Sequence, residues 1–222
     1  MKDKLRLYDY WRSSASYRVR IALNLKGLAY EQVPIHLARD GGEQQQAEFL
    51  ALNPQGLVPV LQHGERLVRQ SLAIIEYLDE VQSSPPLLPR SARDRARVRG
   101  LAQLVACDIH PLCNLRVLGY LERELGAGEE ARLAWMHHWM ASGLAAFEAQ
   151  VFEHPSTGDY CEGEMPGLAD CCLVPQLYNA RRHGLDLSAY PNLCRIDATC
   201  NALPAFDAAQ PERQPDAPAG VA

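Results

Sequence analysis

The sequence predicts an α/β domain followed by an all-α domain. Three observations predict this fold class: strand-like and helix-like segments alternate over the first 82 residues, a proline-rich connector follows, and the remaining chain shows helical periodicity without strand-like alternation. The length of 222 residues, with 47% hydrophobic and 22% charged residues, suits two compact domains with ordinary cores. We place the domains at 1–82 and 93–210, with a linker at 83–92 and a disordered tail at 211–222.

The first domain opens with a βαβα pattern. Alternating apolar and polar residues at 5–10 predict a strand, and the spacing of apolar residues over 16–26 predicts a helix after it. Residues 30–35 predict a second strand, and a short helical segment ends near Leu52. A strand, a crossover helix and a second strand in this order favour parallel pairing of the two strands.

A hairpin and a last helix complete the first domain. Short apolar runs at 58–61 and 66–68 are joined by a turn, and Ser71 opens a helix to residue 81. The order βαβ-α-ββα is typical of a thioredoxin-like domain. Val58-Pro59 is then a candidate for a cis peptide bond that presents backbone to a ligand, although a trans proline at an edge strand fits the same residues.

The second domain is predicted to be entirely helical. Its apolar spacing is that of amphipathic helices packed around one core. The predicted helices span 93–125 with a kink at Pro111, 129–152, 168–183 and 192–203.

Charge and cysteine content exclude several classes of function. A net charge of −5, with 22 basic against 27 acidic residues, gives no positive field for nucleic acid or anionic membrane. No apolar stretch approaches the roughly 20 residues of a membrane span, and the N-terminus lacks the apolar run of a signal peptide, so we expect a cytoplasmic location. Seven cysteines without a Cys-x-x-Cys pair, and adjacent histidines at 137 and 138, indicate neither disulfides nor a metal site.

The segment 12–20 is the most informative for chemistry. Ser13, Ser14 and Ser16 lie between a predicted strand end and a helix start, where unpaired N–H groups and the helix dipole stabilise an anion such as a thiolate. A serine at this position also serves as an ordinary N-cap. Both interpretations stay open, since one serine can cap the helix while another faces a ligand.

The chain resembles the zeta-class glutathione transferases, the group that includes the bacterial maleylacetoacetate isomerases. The resemblance spans almost the whole chain. It departs from the family at Ala15, where the usual residue is cysteine. The matching segments are 12–23, Asp40-Gly41-Gly42, Leu52-Asn53-Pro54, Val58-Pro59, 70–78, 107–112 and Gln214-Pro215-Asp216.

The resemblance implies a glutathione site. Ser13 and Ser14, beside Ala15, would hold the sulfur. Val58, before Pro59, would pair with the cysteinyl backbone. Gln70 with Ser71 would bind the γ-glutamyl carboxylate. The remaining contacts carried over from the family are Gln44, His110 and Asn114. Because His110 and Asn114 are four residues apart, we expect them on one helix face directed toward the first domain.

The resemblance also implies the reaction and its partners. Glutathione would add through its thiolate to the double bond of maleylacetoacetate, permit rotation, and leave the fumaryl isomer. The substrate is a dianion, so Arg12 and Arg182 are expected to bind it, with Arg116 as a weaker candidate. A homodimer is expected. Maleylpyruvate isomerisation, conjugation of α-haloacids and a non-enzymatic glutathione-binding role are the alternatives.

Overall fold

The structure, a computed structural model, describes residues 4–220. It divides into two compact units, one that runs to Leu87 and takes in the segment beginning at Leu203, and one that spans Leu88–Ala202. The first unit holds the sheet and the second is helical, which confirms the predicted fold class. Residues 1–3 and 221–222 of the predicted ranges lie outside the described part of the chain.

The first unit contains one four-stranded sheet in the order β2-β1-β3-β4. β1 pairs with β2 in parallel, and the other two pairings are antiparallel, as the pattern predicts. The peptide bond Val58-Pro59 is cis. The elements are β1 (Leu5–Asp9), α1 (Ser14–Leu25), β2 (Tyr30–Pro34), 3₁₀ turns at Arg39–Gly41 and Glu43–Gln45, α2 (Ala47–Leu52), β3 (Val60–His63), β4 (Arg66–Arg69) and α3 (Ser71–Val81).

The register of the sheet brings three loops to one edge. Tyr8, near the end of β1, lies opposite Val60 at the start of β3, and Val60 lies opposite Arg69 at the end of β4. The segments that follow β1, precede β3 and follow β4 therefore meet at the same end of neighbouring strands. We call this end the site edge.

Apolar side chains from the sheet and from two helices form the core of the first unit. Leu7 and Leu61 of the central strands are fully buried, as are Ile21 of α1 and Ile74 of α3. α1 and α3 pack against each other. Since each fully buried aliphatic side chain contributes about 1.5–3 kcal/mol, this packing fixes the helix starts from which the site residues project.

The segment 203–220 returns to the first unit, and we call it the returning segment. It contains α9 (Pro204–Asp207) and a 3₁₀ turn at Pro211–Arg213. The sequence predicts helical domain to residue 210 and disorder beyond, whereas the structure buries Gln214 and pairs its Oε1 with Gln32 Nε2 at 2.9 Å. The difference arises because proline-rich composition suggests disorder, while side-chain pairing with distant residues leaves no periodic signal.

The second unit differs from its prediction in one segment, 93–125. In place of a single kinked helix there is a π-helical turn at Leu104–Ile109 and a 3₁₀ turn at His110–Cys113 between two α-helices. His110 and Asn114 therefore do not share a face of one helix, because Asn114 has extended backbone. The helices are α4 (Ala92–Gln103), α5 (Leu115–Arg123), α6 (Glu129–Val151), α7 (Leu168–Arg182) and α8 (Pro191–Asn201).

The long helices of this unit follow the predicted pattern. Met136, Met140, Leu144 and Phe147 of α6 are buried at spacings of three and four. At the start of α7, the buried carboxylate of Asp170 accepts the N–H groups of Gly167 at 2.8 Å and Cys161 at 2.9 Å. Among residues 4–220, no helix is long and apolar enough to cross a membrane.

Candidate active site

Ser13 begins α1 at the site edge and caps it. Its Oγ accepts the N–H of Ser16 at 3.3 Å, while Ser14 is buried and Ala15 is half-buried beside it. The acceptor of the hydroxyl is thus used within the helix, and its hydrogen remains to donate to an anion. Of the two interpretations of the serine cluster, the cap is confirmed and is made by Ser13.

The turn before α1 places a cation next to Ser13. The N–H of Ser13 donates to the carbonyl of Tyr10 at 3.0 Å, which closes a four-residue turn, the thiol turn (residues 10–13). Arg12 is exposed in this turn and its guanidinium lies 5.0 Å from the centre of the Trp11 ring. Stacking on a buried indole orients the guanidinium at the site edge.

The start of α3 forms an anion site on the other side. Gln70 has φ 71°, a left-handed conformation that is strained for a residue with a side chain. Ser71 follows as the first residue of the helix, and its Oγ accepts from Nη1 of the buried Arg18 at 3.2 Å. Unpaired N–H groups, the helix dipole and a buried guanidinium all favour a carboxylate here.

Sequence reasoning missed Arg18. Its signal is present in the chain, because Arg18 and Arg20 interrupt an apolar helix whose neighbouring residues Val19 and Ile21 are buried. Charged residues are almost never fully buried unless they are paired, so two arginines in this apolar helix indicate acceptors inside the domain. The acceptors themselves come from distant segments, which the sequence does not reveal.

Side-chain hydrogen bonds hold the loop before β3 in place. Buried Asn53 donates from Nδ2 to the carbonyl of Leu57 at 2.7 Å and accepts the N–H of Gln55 at 3.2 Å. Gln55 in turn accepts from Nε2 of Gln70 at 2.8 Å. Val58 therefore lies at the end of a braced loop, with its backbone at the site edge.

The spacing of the three segments fits an extended tripeptide. Neighbouring strands lie about 4.8 Å apart, so the ends of β1 and β4, with β3 between them, are separated by roughly 10 Å. Three extended residues span at most about 10 Å. The segments that hold Ser13, Val58 and Ser71 thus meet within the reach of one extended tripeptide.

Gln44 adds an unsatisfied acceptor to the same unit. Its Nε2 donates to the carbonyl of Leu37 at 3.3 Å, and its buried Oε1 has no hydrogen-bond partner within residues 4–220. Gly42 leaves space for this amide: its φ is 100°, and a Cβ at that position would lie 2.5 Å from Nε2 of Gln44. A buried acceptor without a donor is the feature that a ligand N–H would complete.

Three of the predicted site residues of the second unit lie close together in the chain, around one 3₁₀ turn and the start of α5. His110 and Asn114 border the same 3₁₀ turn, and Asn114 caps α5 by accepting the N–H of Arg116 at 3.1 Å. The cap uses the amide oxygen and leaves the Asn114 NH₂ group to donate to a ligand. Arg116 is exposed on the first turn of α5.

The arginines at the end of α7 have different surroundings. Arg181 pairs with the nearly buried carboxylate of Asp197 at 2.7 Å. Arg182 is exposed, and its Nη2 lies 3.3 Å from Oδ1 of Asn179 and 2.7 Å from Nε2 of His183. Both arginines are exposed, but Arg181 is paired with a carboxylate, whereas Arg182, the residue predicted to bind the dianion, contacts Asn179 and His183.

Burial disfavours ionisation of two cysteine thiols, those of Cys113 and Cys161. Burial raises the pKa of Cys113 to about 11, and burial likewise raises the pKa of Cys161 well above its ordinary value. Both thiols stay protonated at neutral pH, and a protonated thiol is a poor nucleophile. In the part of the chain that the structure describes, no cluster of three or more His, Cys, Asp or Glu side chains could hold a metal ion.

Known proteins resemble this chain over almost all of its length. A family model described as the glutathione S-transferase N-terminal domain matches residues 3–80. The chain is 54% identical over 214 residues to the maleylacetoacetate isomerase of Rhizobium meliloti strain 1021, an alignment that covers 96% of this chain and 99% of the relative.

Two solved structures resemble the whole chain equally well. One is the holo form of a maleylpyruvate isomerase, described as a bacterial zeta-class glutathione S-transferase, with TM-score 0.93 and 48% identity over 96% of this chain and 100% of that one. The other is a maleylacetoacetate isomerase from Methylobacterium extorquens AM1 with bound malonate and glutathione, with TM-score 0.93 and 45% identity over the same shares.

Proposed function

The chain belongs to the glutathione S-transferase family, and we propose that it is a glutathione-dependent cis–trans isomerase that converts maleylacetoacetate to fumarylacetoacetate. The observation that carries the proposal is the site edge, where the segments that hold Ser13, Val58 and Ser71 meet within the reach of one extended glutathione molecule. The bound glutathione and malonate of the Methylobacterium relative are the ligands that such a site accepts, a tripeptide thiol and a small dicarboxylate.

Glutathione, when bound, supplies a thiolate that adds reversibly to the maleyl double bond, which then rotates as a single bond before the thiolate leaves. Ser13 donates its hydroxyl hydrogen to the sulfur, and the start of α1 adds the unpaired N–H groups and the positive end of the helix dipole. Ser14 adjoins Ser13 at the first position of that helix. These groups lower the free energy of the sulfur anion relative to the thiol.

The carboxylate end of the tripeptide is assigned to α3. Ser71 donates its hydroxyl and backbone N–H, and the cation of Arg18 behind it offsets the negative charge. Val58 pairs its backbone with the cysteinyl residue, next to Pro59. Gln44, Gln70, His110 and Asn114 complete the proposed set of glutathione contacts.

The dicarboxylate substrate is assigned to exposed arginines. Arg12 lies in the thiol turn, so its guanidinium is next to the proposed sulfur position. Arg182 and, with less support, Arg116 are the second-unit candidates. A planar guanidinium binds a carboxylate through two parallel hydrogen bonds, which fixes the orientation of the double bond relative to the thiolate.

Maleylpyruvate is the second candidate substrate. It is favoured by the holo maleylpyruvate isomerase, which matches this chain as well as the maleylacetoacetate isomerase structure does. Both substrates have a cis double bond conjugated to a carbonyl and carry two carboxylates. The two activities differ in the length of the diacid and not in the chemistry at the sulfur.

The test is to follow loss of absorbance of each substrate with purified protein, with and without catalytic glutathione. Each reaction is coupled to its own hydrolase. Glutathione-dependent turnover of maleylacetoacetate far above that of maleylpyruvate is expected, and the reverse ratio would assign the second substrate. If neither is turned over while glutathione is still bound, the isomerase proposal is wrong and conjugation or a binding role replaces it.

The same proposal includes a homodimer and a cytoplasmic location. Membership of the glutathione S-transferase family supports both expectations. Light scattering of the purified protein measures the oligomeric state, and a mass near twice 24.7 kDa is expected. A monomer at micromolar concentration would contradict this part.

A further inference from the structure

The backbone of the thiol turn is held by two charged side chains that lie outside the turn, the buried Arg20 and the half-buried Asp216. The N–H of Trp11 donates to Oδ2 of Asp216 at 2.9 Å. The carbonyl of Trp11 accepts from Nη2 of Arg20 at 2.8 Å, and the carbonyl of Tyr10 accepts from Nη1 of Arg20 at 3.4 Å. The turn is thereby fixed by Arg20 from α1 and by Asp216 from the returning segment.

Arg20 is itself fixed from several directions. Its Nη1 pairs with Oδ2 of Asp9 at 3.0 Å, and both side chains are completely buried. Its Nε donates to the carbonyl of Ala209 in the returning segment at 3.1 Å. A fully hydrogen-bonded guanidinium in a buried site has little freedom to move. Arg20 therefore gives the turn a rigid base, and Asp216 adds a hydrogen bond from the returning segment.

We propose that Asp216 is a positioning residue of the active site, which holds the Trp11 N–H and so sets the place from which Ser13 presents its hydroxyl and Arg12 its guanidinium. Trp11 immediately precedes Arg12, and its ring stacks on that guanidinium. The contact thus connects one carboxylate to both halves of the chemistry, the sulfur and the diacid. This inference rests on the proposed function, since it takes Ser13 to be the sulfur ligand.

The direction in which thiolate formation changes distinguishes a positioning role of Asp216 from a direct effect of its charge. Within residues 4–220, charged or titratable side chains in or around the thiol turn and Arg20 include those of Asp9, Arg12, His36 and Asp216, and the phenols of Tyr10, Tyr17 and Tyr30. Removal of the negative charge of Asp216 would, by Coulomb's law, favour a nearby thiolate. Loss of the Trp11 contact would instead disfavour the thiolate, because Ser13 would no longer be held in place.

Two substitutions separate these effects. Asp216→Ala removes both the charge and the acceptor, whereas Asp216→Asn removes the charge and keeps an amide oxygen for the Trp11 N–H. Because Oδ1 of Asp216 is buried without a hydrogen-bond partner within residues 4–220, the NH₂ group of the asparagine would also be unpaired there. Both variants should therefore lose stability, but only Asp216→Ala should lose positioning.

Arg213→Ala is the matched control. Arg213 lies in the same returning segment and pairs with Asp207, with both side chains largely exposed. Exposed ion pairs of this kind contribute little to stability. We expect Arg213→Ala to behave like the unsubstituted protein in every measurement below.

The first measurement is hydrogen exchange at the Trp11 amide, which needs no ligand. Asp216→Ala should exchange this amide at least roughly tenfold faster, while Asp216→Asn and Arg213→Ala stay within about threefold of the parent. Unchanged exchange in Asp216→Ala would show that the carboxylate does not hold the amide, and would overturn the inference at its structural premise.

The second measurement is the thiolate absorbance of bound glutathione at pH 7, with the affinity for S-methylglutathione as the reference. Asp216→Ala should lower the ionised fraction roughly three- to tenfold and bind S-methylglutathione within about twofold of the parent. Asp216→Asn should keep the ionised fraction at or above the parent value.

The outcomes separate the inference from the function on which it rests. If the parent protein binds no glutathione, the proposed function is wrong. If the parent forms the thiolate and the two Asp216 variants lose it equally, or neither loses it, the proposed function stands and the positioning role of Asp216 is wrong. An equal loss of S-methylglutathione affinity and thiolate in Asp216→Ala would indicate general disruption and would also overturn the inference.

Discussion

At the scale of single residues, Ser13 caps α1 and is proposed to stabilise the sulfur anion, and separate experiments measure these two roles. Its oxygen accepts the N–H of Ser16, which stabilises α1, and its hydrogen is proposed to stabilise the sulfur anion. A cap is worth about 0.5–2 kcal/mol of stability, whereas a preorganised donor at a developing charge is worth a factor of roughly 100 in rate. The two contributions therefore appear in different experiments.

Ser13→Ala should lower kcat/KM for the isomerisation roughly 100-fold and also lower the melting temperature. Ser13→Asp keeps an acceptor for the Ser16 N–H but puts a negative charge beside the sulfur, so we expect a stable and equally inactive protein. Ser16→Ala is the control, because the Ser16 hydroxyl is buried without a hydrogen-bond partner within residues 4–220. Equal losses of activity at positions 13 and 16 would mean that the sulfur lies elsewhere.

The two arginines at the end of α7 should respond differently to substitution. Arg182→Ala should raise KM for the diacid roughly tenfold and leave glutathione affinity unchanged, since its guanidinium is accessible and charge-assisted hydrogen bonds are strong. Arg181→Ala should instead lower the melting temperature, because it leaves the nearly buried Asp197 carboxylate without its cation. Steady-state kinetics with glutathione and the diacid measures the KM change, and thermal unfolding measures the change in melting temperature. Loss of glutathione binding in Arg182→Ala would contradict the assignment of Arg182 to the diacid.

Residue-level prediction is confirmed for the two helix starts, which a local pattern marks. Serines at a strand-to-helix junction and a serine opening a helix are recognisable because helix starts need acceptors and bind anions. Arg18 and Asp216 were missed as supporting residues, since their partners are distant in sequence. No periodicity or spacing rule reports a contact of that kind.

At the scale of elements, the irregular segment 104–113 depends on close packing against α6. A Cβ added at Gly143 would overlap the side chain of Ile109, the last residue of the π-helical turn. Glycine therefore lets the turn approach α6, and the turn leads directly into His110. The sequence predicts one kinked helix here, because Pro111 is visible as a breaker while the approach to Gly143 is a tertiary contact.

Gly143→Ala should displace this turn and cost about 1–3 kcal/mol of stability, and glutathione affinity should fall if His110 is a ligand. Gly100→Ala is the control in another helix, since a Cβ there meets nothing within 4 Å and should stabilise α4 by about 0.5–1 kcal/mol. Denaturant unfolding and glutathione titration measure the two effects.

A double variant tests the origin of the Gly143 effect. Ile109→Ala in the Gly143→Ala background should cost less than the sum of the single changes, because it removes the overlapping atoms. Additive costs would show that the two residues do not interact, and that the turn is shaped by something other than this contact.

At the scale of the whole molecule, Tyr30 gives the folded state a dependence on alkaline pH. Burial raises the pKa of this phenol to about 12 from its ordinary value near 10. Between these values the unfolded chain loses the proton while the folded chain keeps it, so stability falls as pH rises. Tyr30→Phe should remove up to about 2–3 kcal/mol of that loss, measured by urea unfolding at pH 9 and 11.5. An identical alkaline loss in Tyr30→Phe would contradict this.

The fold class could be predicted at this scale, but the division of the chain could not. Element order and the proline-rich connector identify an α/β and an all-α unit, because both signals are local and periodic. The returning segment belongs to the α/β unit through Gln214 and Asp216, whose partners Gln32 and Trp11 lie about two hundred residues earlier. Only a resemblance at 214–216 marked those residues in the sequence.

The returning segment also sets the order in which the protein can mature during synthesis. Arg20 and the thiol turn leave the ribosome early, yet Ala209 and Asp216 are translated only after all of Leu88–Ala202. Until then the nascent first unit has its sheet and α1 but lacks two hydrogen bonds at the turn that presents Ser13. The proposed active site is therefore among the last features to form. A truncated translation product would be folded in part and still unable to bind glutathione and ionise the glutathione thiol.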